Sequence, residues 1–273
     1  MGWAGLGCGV ALAAGDSGPT APPRYSPPEN LSHSHLHAPR PQIYDDKRLQ
    51  KVLPYVGLSM QVSLTFDNGP TVGVTSEVLD TLALHRVRAT FFVIGENLSE
   101  PGARKLAERA RDEGHQIGNH SYTHPMPLGL MPDPQDALNE VLKGEQAVGD
   151  LAGTRRLFRP AGRTAIGPHM LTPQIWDYLK SSGHTCVLWN VICREWERPD
   201  EWPEFAIGLC RPLSWSVPVL HDLPTGAMRQ LDRFLGMLID AGADFSQDFP
   251  VSCTPIRDGR EMRPKEELVT SSP

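Results

Sequence analysis

The sequence predicts an α/β fold of parallel strands with outer helices, and two observations carry that prediction. From about Gln61, short β-branched or aromatic runs alternate with longer segments of helical period, the pattern of repeated βα units. Groups of chemistry-bearing polar residues directly follow several of those runs. Parallel sheets, open or closed into a barrel, place their working residues at those strand ends.

Taken along the chain, the first run is Val62-Ser63-Leu64-Thr65-Phe66, followed at once by Asp67-Asn68-Gly69-Pro70. The second is Thr90-Phe91-Phe92-Val93-Ile94. Residues 101–113 then read as a helix closed by Gly114. The segment 115–119 reads as a strand that ends on His120-Ser121-Tyr122-Thr123-His124-Pro125. Asp133-Pro134 supplies an N-cap and a first-turn proline for a helix whose Ala137, Leu138, Val141, Leu142 and Val148 share one face. Leu157-Phe158-Arg159 leads into Pro160, and Cys186-Val187-Leu188-Trp189 and Val217-Pro218-Val219-Leu220 complete the strands, the last followed by His221-Asp222. Met228, Leu231, Phe234, Leu235, Leu238 and Ile239 line one face of a final helix that stops before Gly242.

A chain of 273 residues with 40% hydrophobic and 21% charged residues is able to bury one sizeable core, which excludes wholesale disorder. That core is placed in residues 57–256, after a flexible Pro-rich leader over 1–56 and before a charged, disordered tail over 257–273. The net charge of −6 argues against a nucleic-acid partner, and no apolar run has the length of a transmembrane helix. Residues 3–14 resemble the apolar part of a signal peptide, but no Lys or Arg precedes Arg24, so cytoplasmic and exported locations both stay open. His33, His35 and His37 read as part of a solvated tract. Five scattered cysteines form no C-x-x-C pair, and reduced, buried thiols are expected.

Each strand-end group alone is ordinary turn or ion-pair chemistry. Together they are the parts of a metal hydrolase. Two His four residues apart are able to bind one ion, a neighbouring carboxamide or carboxylate completes the set, and a second carboxylate and a third His remain for proton transfer.

The motifs T-F-D-N-G-P, H-S-Y-T-H-P, F-R-P-A-G, W-N-V-I-C-R-E-W and V-L-H-D, in this order over roughly residues 60–250, resemble those of the NodB-type polysaccharide deacetylases, the family-4 carbohydrate esterases. The resemblance implies a distorted (β/α) barrel that removes N-acetyl groups from N-acetylglucosamine residues of a chito-oligosaccharide, chitin or peptidoglycan glycan. It further implies Asp67 as catalytic base, Arg159 as the base's partner, His221 as general acid and Glu195 as the carboxylate behind that acid. His120 and His124, with Asn68, match the metal set for a divalent ion, zinc or cobalt. Trp196 and Val219 match apolar walls of the acetyl pocket, and Tyr122 falls among the substrate contacts.

Four positions depart from the family pattern, one of them Glu195, a longer carboxylate in the place of the family's Asp. Asn68 stands where the family has a metal-binding Asp, Ala161 replaces a Pro, and Ile192 replaces a frequent Asp. An amide oxygen is a neutral and weaker donor than a carboxylate, although the less neutralised ion is a stronger Lewis acid. The readings that follow are a working deacetylase with an altered metal site, a weakened or inactive homologue that serves as a saccharide-binding module, and an amidase on another substrate. Acetate release from a chitin oligomer separates them.

Overall fold

The computed structural model describes residues 60–162 and 165–271. The leader over 1–56, with its signal-like start, Cys8 and His33, His35 and His37, lies outside them, as do residues 57–59 of the expected core domain.

In chain order the elements are β1 (Met60–Val62), β2 (Thr65–Asp67), α1 (Thr75–His85), β3 (Thr90–Val93), α2 (Ala103–Asp112), β4 (Gln116–Asn119), α3 (Pro134–Val148), β5 (Leu157–Phe158), α4 (Pro173–Ser181), β6 (Thr185–Cys186), β7 (Val191–Ile192), α5 (Trp202–Cys210), β8 (Trp215–Ser216), β9 (Pro218–His221), α6 (Leu231–Asp240), β10 (Ala243–Phe245), β11 (Ile256–Arg257) and β12 (Arg260–Glu261). The strands β6-β5-β4-β3-β2-β9-β7 form one parallel run in that order. Read as a ring, this is chain order: β2 to β6, then β7, β9 and back to β2. The extended stretch that contains β6 and β7 has no helix between them. It pairs with β5 at its start and with β9 at its end, so a single piece of chain carries the distorted barrel round its last corner.

Local sequence explains the best-defined helices. Asp133 caps α3 by accepting the Gln135 N–H at 2.7 Å, and Thr172 does the same for Ile175 at the start of α4. Both helices carry Pro in the first turn, where its missing N–H costs nothing. One apolar cluster joins Phe66 and Phe91 to Leu79, Leu82, Phe234 and Leu238 of α1 and α6. A second gathers Val141, Ile175 and Trp176 of α3 and α4 around Phe158 and Val187. Among the described residues no helix is long and apolar enough to cross a membrane.

Two expectations need correction. The run 62–66 straddles two sheets: Val62 ends β1, which pairs with β8 and β10, whereas Thr65 and Phe66 belong to β2, which pairs with β3 and β9. The break falls at Ser63 and Leu64, while the run 217–220 joins β9 from Pro218 onward. Ser63 N–H donates to Ser216 O at 2.8 Å, and the Ser63 hydroxyl accepts from the Trp215 indole at 2.8 Å. The C-terminal stretch 257–273 is also no disordered tail over its described part. Asp258-Gly259, both with positive φ, turn the chain from β11 into β12, and β11 pairs antiparallel with β6. Leu268 and Val269 are buried, and the Leu268 carbonyl accepts from Leu171 N–H at 3.0 Å. The charge of this segment masked a two-residue hairpin signal and two apolar anchors.

Candidate active site

Each candidate residue leaves the C-terminal end of a strand or the loop just beyond it. Asp67 ends β2 and His221 ends β9, and the register of this parallel pair sets them directly opposite each other. Parallel register partners face the same side about 4.8 Å apart along the sheet, so the two functional groups share one face. Val219, two residues before His221, lies on that face as well and is buried. His120 follows β4 and Arg159 follows β5. The Arg159 amide donates to Asn119 O at 2.9 Å, and the His120 amide to Val93 O at 2.9 Å.

Arg159 is fully buried and every arm of its guanidinium is used. Its Nη1 donates to Asp67 Oδ1 at 2.7 Å and to the Thr65 hydroxyl at 2.8 Å, Nε to Val187 O at 3.2 Å, and Nη2 to Leu188 O at 3.2 Å. The guanidinium also lies 4.1 Å from the centre of the Phe92 ring. A buried charge is tolerated when paired and hydrogen-bonded this completely. Burial alone would raise the Asp67 pKa, but Arg159 foremost, then His120 and His221, hold this carboxyl below the ordinary value. Asp67 is therefore a carboxylate at neutral pH, with Oδ2 free of Arg159.

His120 donates from Nδ1 to the Arg159 carbonyl at 2.8 Å, because a carbonyl only accepts. That fixes the tautomer and leaves the Nε2 lone pair toward Asp67 Oδ2, 3.6 Å away. Burial pushes the His120 pKa down to about 3 and lowers that of His124, so both rings are neutral donors. The two rings lie 4.8 Å apart. Asn68 follows Asp67 in the left-handed region (φ 71°), as do Ser121 (66°) and His124 (51°) in the second motif. Such strain is held by the surroundings and concentrates at functional sites.

The residues present fit a divalent ion. Among the described residues no three His, Cys, Asp or Glu side chains converge as a ligand set, so a set built on His120 and His124 would need a donor of another type. The Asn68 Oδ1 is such a donor: it is buried and has no hydrogen-bond partner. A buried amide oxygen left unsatisfied costs on the order of 1–3 kcal/mol, a cost that coordination would remove.

On the acid side, His221 Nδ1 donates to Glu195 Oε1 at 2.6 Å, and Glu195 is buried. Burial lowers the His221 pKa, but the bond to Glu195 and the charges of Glu195, Asp67 and Asp222 outweigh it, and the net shift is upward. The longer carboxylate at position 195 thus reaches the imidazole. Trp196 packs edge-on against His221, ring centres 5.1 Å apart, and stays 38% exposed. Trp202 opens α5 and is buried, its indole donating to Ala227 O at 2.9 Å. The Tyr122 and Thr123 amides both donate to Glu140, at 3.1 and 2.7 Å, so Tyr122 keeps only its ring for a ligand.

Sequence reasoning missed three supports. Thr65 bridges Arg159 to Pro218 O at 2.6 Å, Asn97 donates to Asn68 O at 2.7 Å, and Asp222 lies buried behind the first motif. Thr65 was visible as the strand residue two before Asp67 on the same face. Asn97 and Asp222 needed the fold.

A sequence model described as polysaccharide deacetylase matches residues 59–187. A peptidoglycan-N-acetylglucosamine deacetylase of Listeria monocytogenes is 31% identical over 71% of this chain, which spans only 39% of that protein's length. A chitooligosaccharide deacetylase of a Bradyrhizobium strain is 37% identical, covering 62% of this chain and 74% of its own. Among solved structures, a family 4 carbohydrate esterase from Streptomyces lividans in complex with acetate superposes with a TM-score of 0.59 at 27% identity, over 74% of this chain and 99% of that one.

Proposed function

Since this chain belongs to the polysaccharide deacetylase family, we propose that it hydrolyses the acetamide of N-acetylglucosamine residues in a chito-oligosaccharide or peptidoglycan-type glycan. The observation that carries this reading is the pairing of two oppositely tuned groups on one face: Asp67, kept ionised by Arg159, opposite His221, whose pKa the bond to Glu195 raises. A hydrolysis of this kind needs a base for the attacking water and an acid for the departing amine.

His120 and His124, with Asn68, would hold a divalent ion, zinc or cobalt. When bound there it supplies a Lewis acid for the acetamide carbonyl and acidifies the attacking water. Asp67 Oδ2 accepts that water's proton, while Arg159 holds Oδ1 and fixes the carboxylate's orientation. His221, with Nδ1 committed to Glu195, presents Nε2–H to the leaving nitrogen and neutralises it as the C–N bond breaks. Trp196 and Val219 wall the acetyl methyl, and Tyr122 contributes a face for the sugar. The alternative of an inactive saccharide-binding module gives no reason for two buried ion pairs, each costly to desolvate, to stand on one face.

The test is acetate release from N-acetylglucosamine oligomers by chelator-treated protein, with and without added zinc or cobalt. Metal-dependent release is expected. A folded protein that stays silent with both ions overturns the reading.

A further inference from the structure

Asp222 is a buried carboxyl that the proposed chemistry does not use. It directly follows His221, is fully buried, and its Oδ1 has no partner. Phe66, Phe91 and Ile117 line the same small cavity, and this apolar burial pushes its pKa up to about 6. Such a group is expensive to keep, so what it touches matters. Oδ2 accepts from the Thr75 hydroxyl at the start of α1, and that hydroxyl accepts from Thr71 N–H at 2.7 Å. The carboxyl is pressed against the backbone of Gly69, where a Cβ would fall on it. On the other side, Gly69 O accepts from Ile94 N–H at 3.1 Å, and the Asn68 carbonyl is held by Asn97. The turn that carries Asp67 and Asn68 is thus clamped between Asn97 and Asp222.

We propose that Asp222, held by Thr75, is a positioning residue that backs the Asp67–Pro70 turn and ties it to the strand end bearing His221. Strand alternation explains the arrangement: His221 faces Asp67 on the reactive side, so its neighbour faces the helix layer, where Thr75 and Gly69 lie. One dipeptide then sets the acid directly and the base through the turn. The inference rests on the deacetylase reading for its kinetic consequence, while the clamp itself is a property of the fold.

Thr75→Val and Thr75→Ser test it in the full chain, because they differ in the hydroxyl and little in volume. Backbone amide exchange over residues 67–75 is measured by mass spectrometry, beside kcat and KM for acetate release with zinc. In Thr75→Val, exchange over 67–75 is expected to rise about tenfold and kcat to fall about tenfold with KM within about twofold, the effect of one buried hydrogen bond to a carboxyl. Thr75→Ser should restore both. A folded Thr75→Val protein with wild-type exchange and kcat overturns the proposal. Should that variant not fold, Asp222→Ala answers instead: it removes the acceptor for Thr75 and the group against Gly69, so exchange over 67–75 is expected to rise and kcat to fall, and a folded variant with wild-type protection and kcat refutes the clamp. A wild type that releases no acetate refutes the deacetylase reading and leaves the exchange measurement to decide the clamp.

Discussion

Asp67 and His221 are register partners across the β2–β9 pair, and each is wired to a different buried charge, Arg159 for the first and Glu195 for the second. Sheet geometry fixes the separation of the proposed base and acid, and the two ion pairs push their pKa values in opposite directions.

Removing either group should therefore stop turnover without unfolding the chain. Asp67→Asn and His221→Ala are each expected to lower kcat by at least about 10²-fold, the usual contribution of a general base or acid. Melting curves establish that the variants are folded, and a folded variant with wild-type kcat removes that residue from its role.

Position 68 is tested by affinity. Asn68→Asp replaces a neutral donor by a carboxylate in a left-handed conformation that Asp also tolerates. Zinc affinity, read by competition with a chromogenic chelator, is expected to tighten by about tenfold or more, roughly 1.4 kcal/mol. Equal affinities would show that residue 68 does not touch the ion.

The upward shift of His221 has a pH consequence. The acid must carry its proton, so kcat/KM should fall as pH rises through a His221 pKa above the ordinary imidazole value. Glu195→Gln removes the charge that sustains the shift and should move this alkaline limb toward lower pH. An alkaline limb that does not move would separate Glu195 from the acid.

Stability on acidification should depend on His115, which lies outside the site. Ala89 N–H donates to His115 Nδ1 at 3.0 Å, so the buried ring is held neutral, and burial pushes its pKa down from 6.5 to about 4. Between those values the unfolded chain takes up a proton that the folded chain refuses. The contribution is thus complete above about pH 6.5, declines as pH falls toward 4, and changes no further below, a total on the order of 3 kcal/mol. Urea titrations of the wild type and His115→Gln over that window should show a shallower decline in the variant; parallel curves would contradict the assignment.

Much of the site was legible because each chemical residue sits in a short motif at a strand end, and five motifs in order outweigh the ambiguity of any one. Helices with a cap and a first-turn Pro, such as α3, were legible for the same local reason. What was hidden depends on distant partners. The splitting of 62–66 between two sheets is decided by Trp215 and Ser216, and the docking of Leu268 by Leu171. Likewise the burial of Asp222 is decided by Gly69 and Thr75, some 150 residues away along the chain. In the Asp258-Gly259 hairpin the signal was local, and the surrounding charge obscured it.

The helix-free stretch from Thr185 to Glu195 holds both halves of the chemistry. Its Val187 and Leu188 carbonyls grip Arg159, and its far end delivers Glu195 to His221. An insertion or deletion within it would pull the two ion pairs out of step, so its length is not free to drift. Any grafting of new loops onto this fold should therefore leave the stretch, and the short strand-end motifs it grips, at their present length.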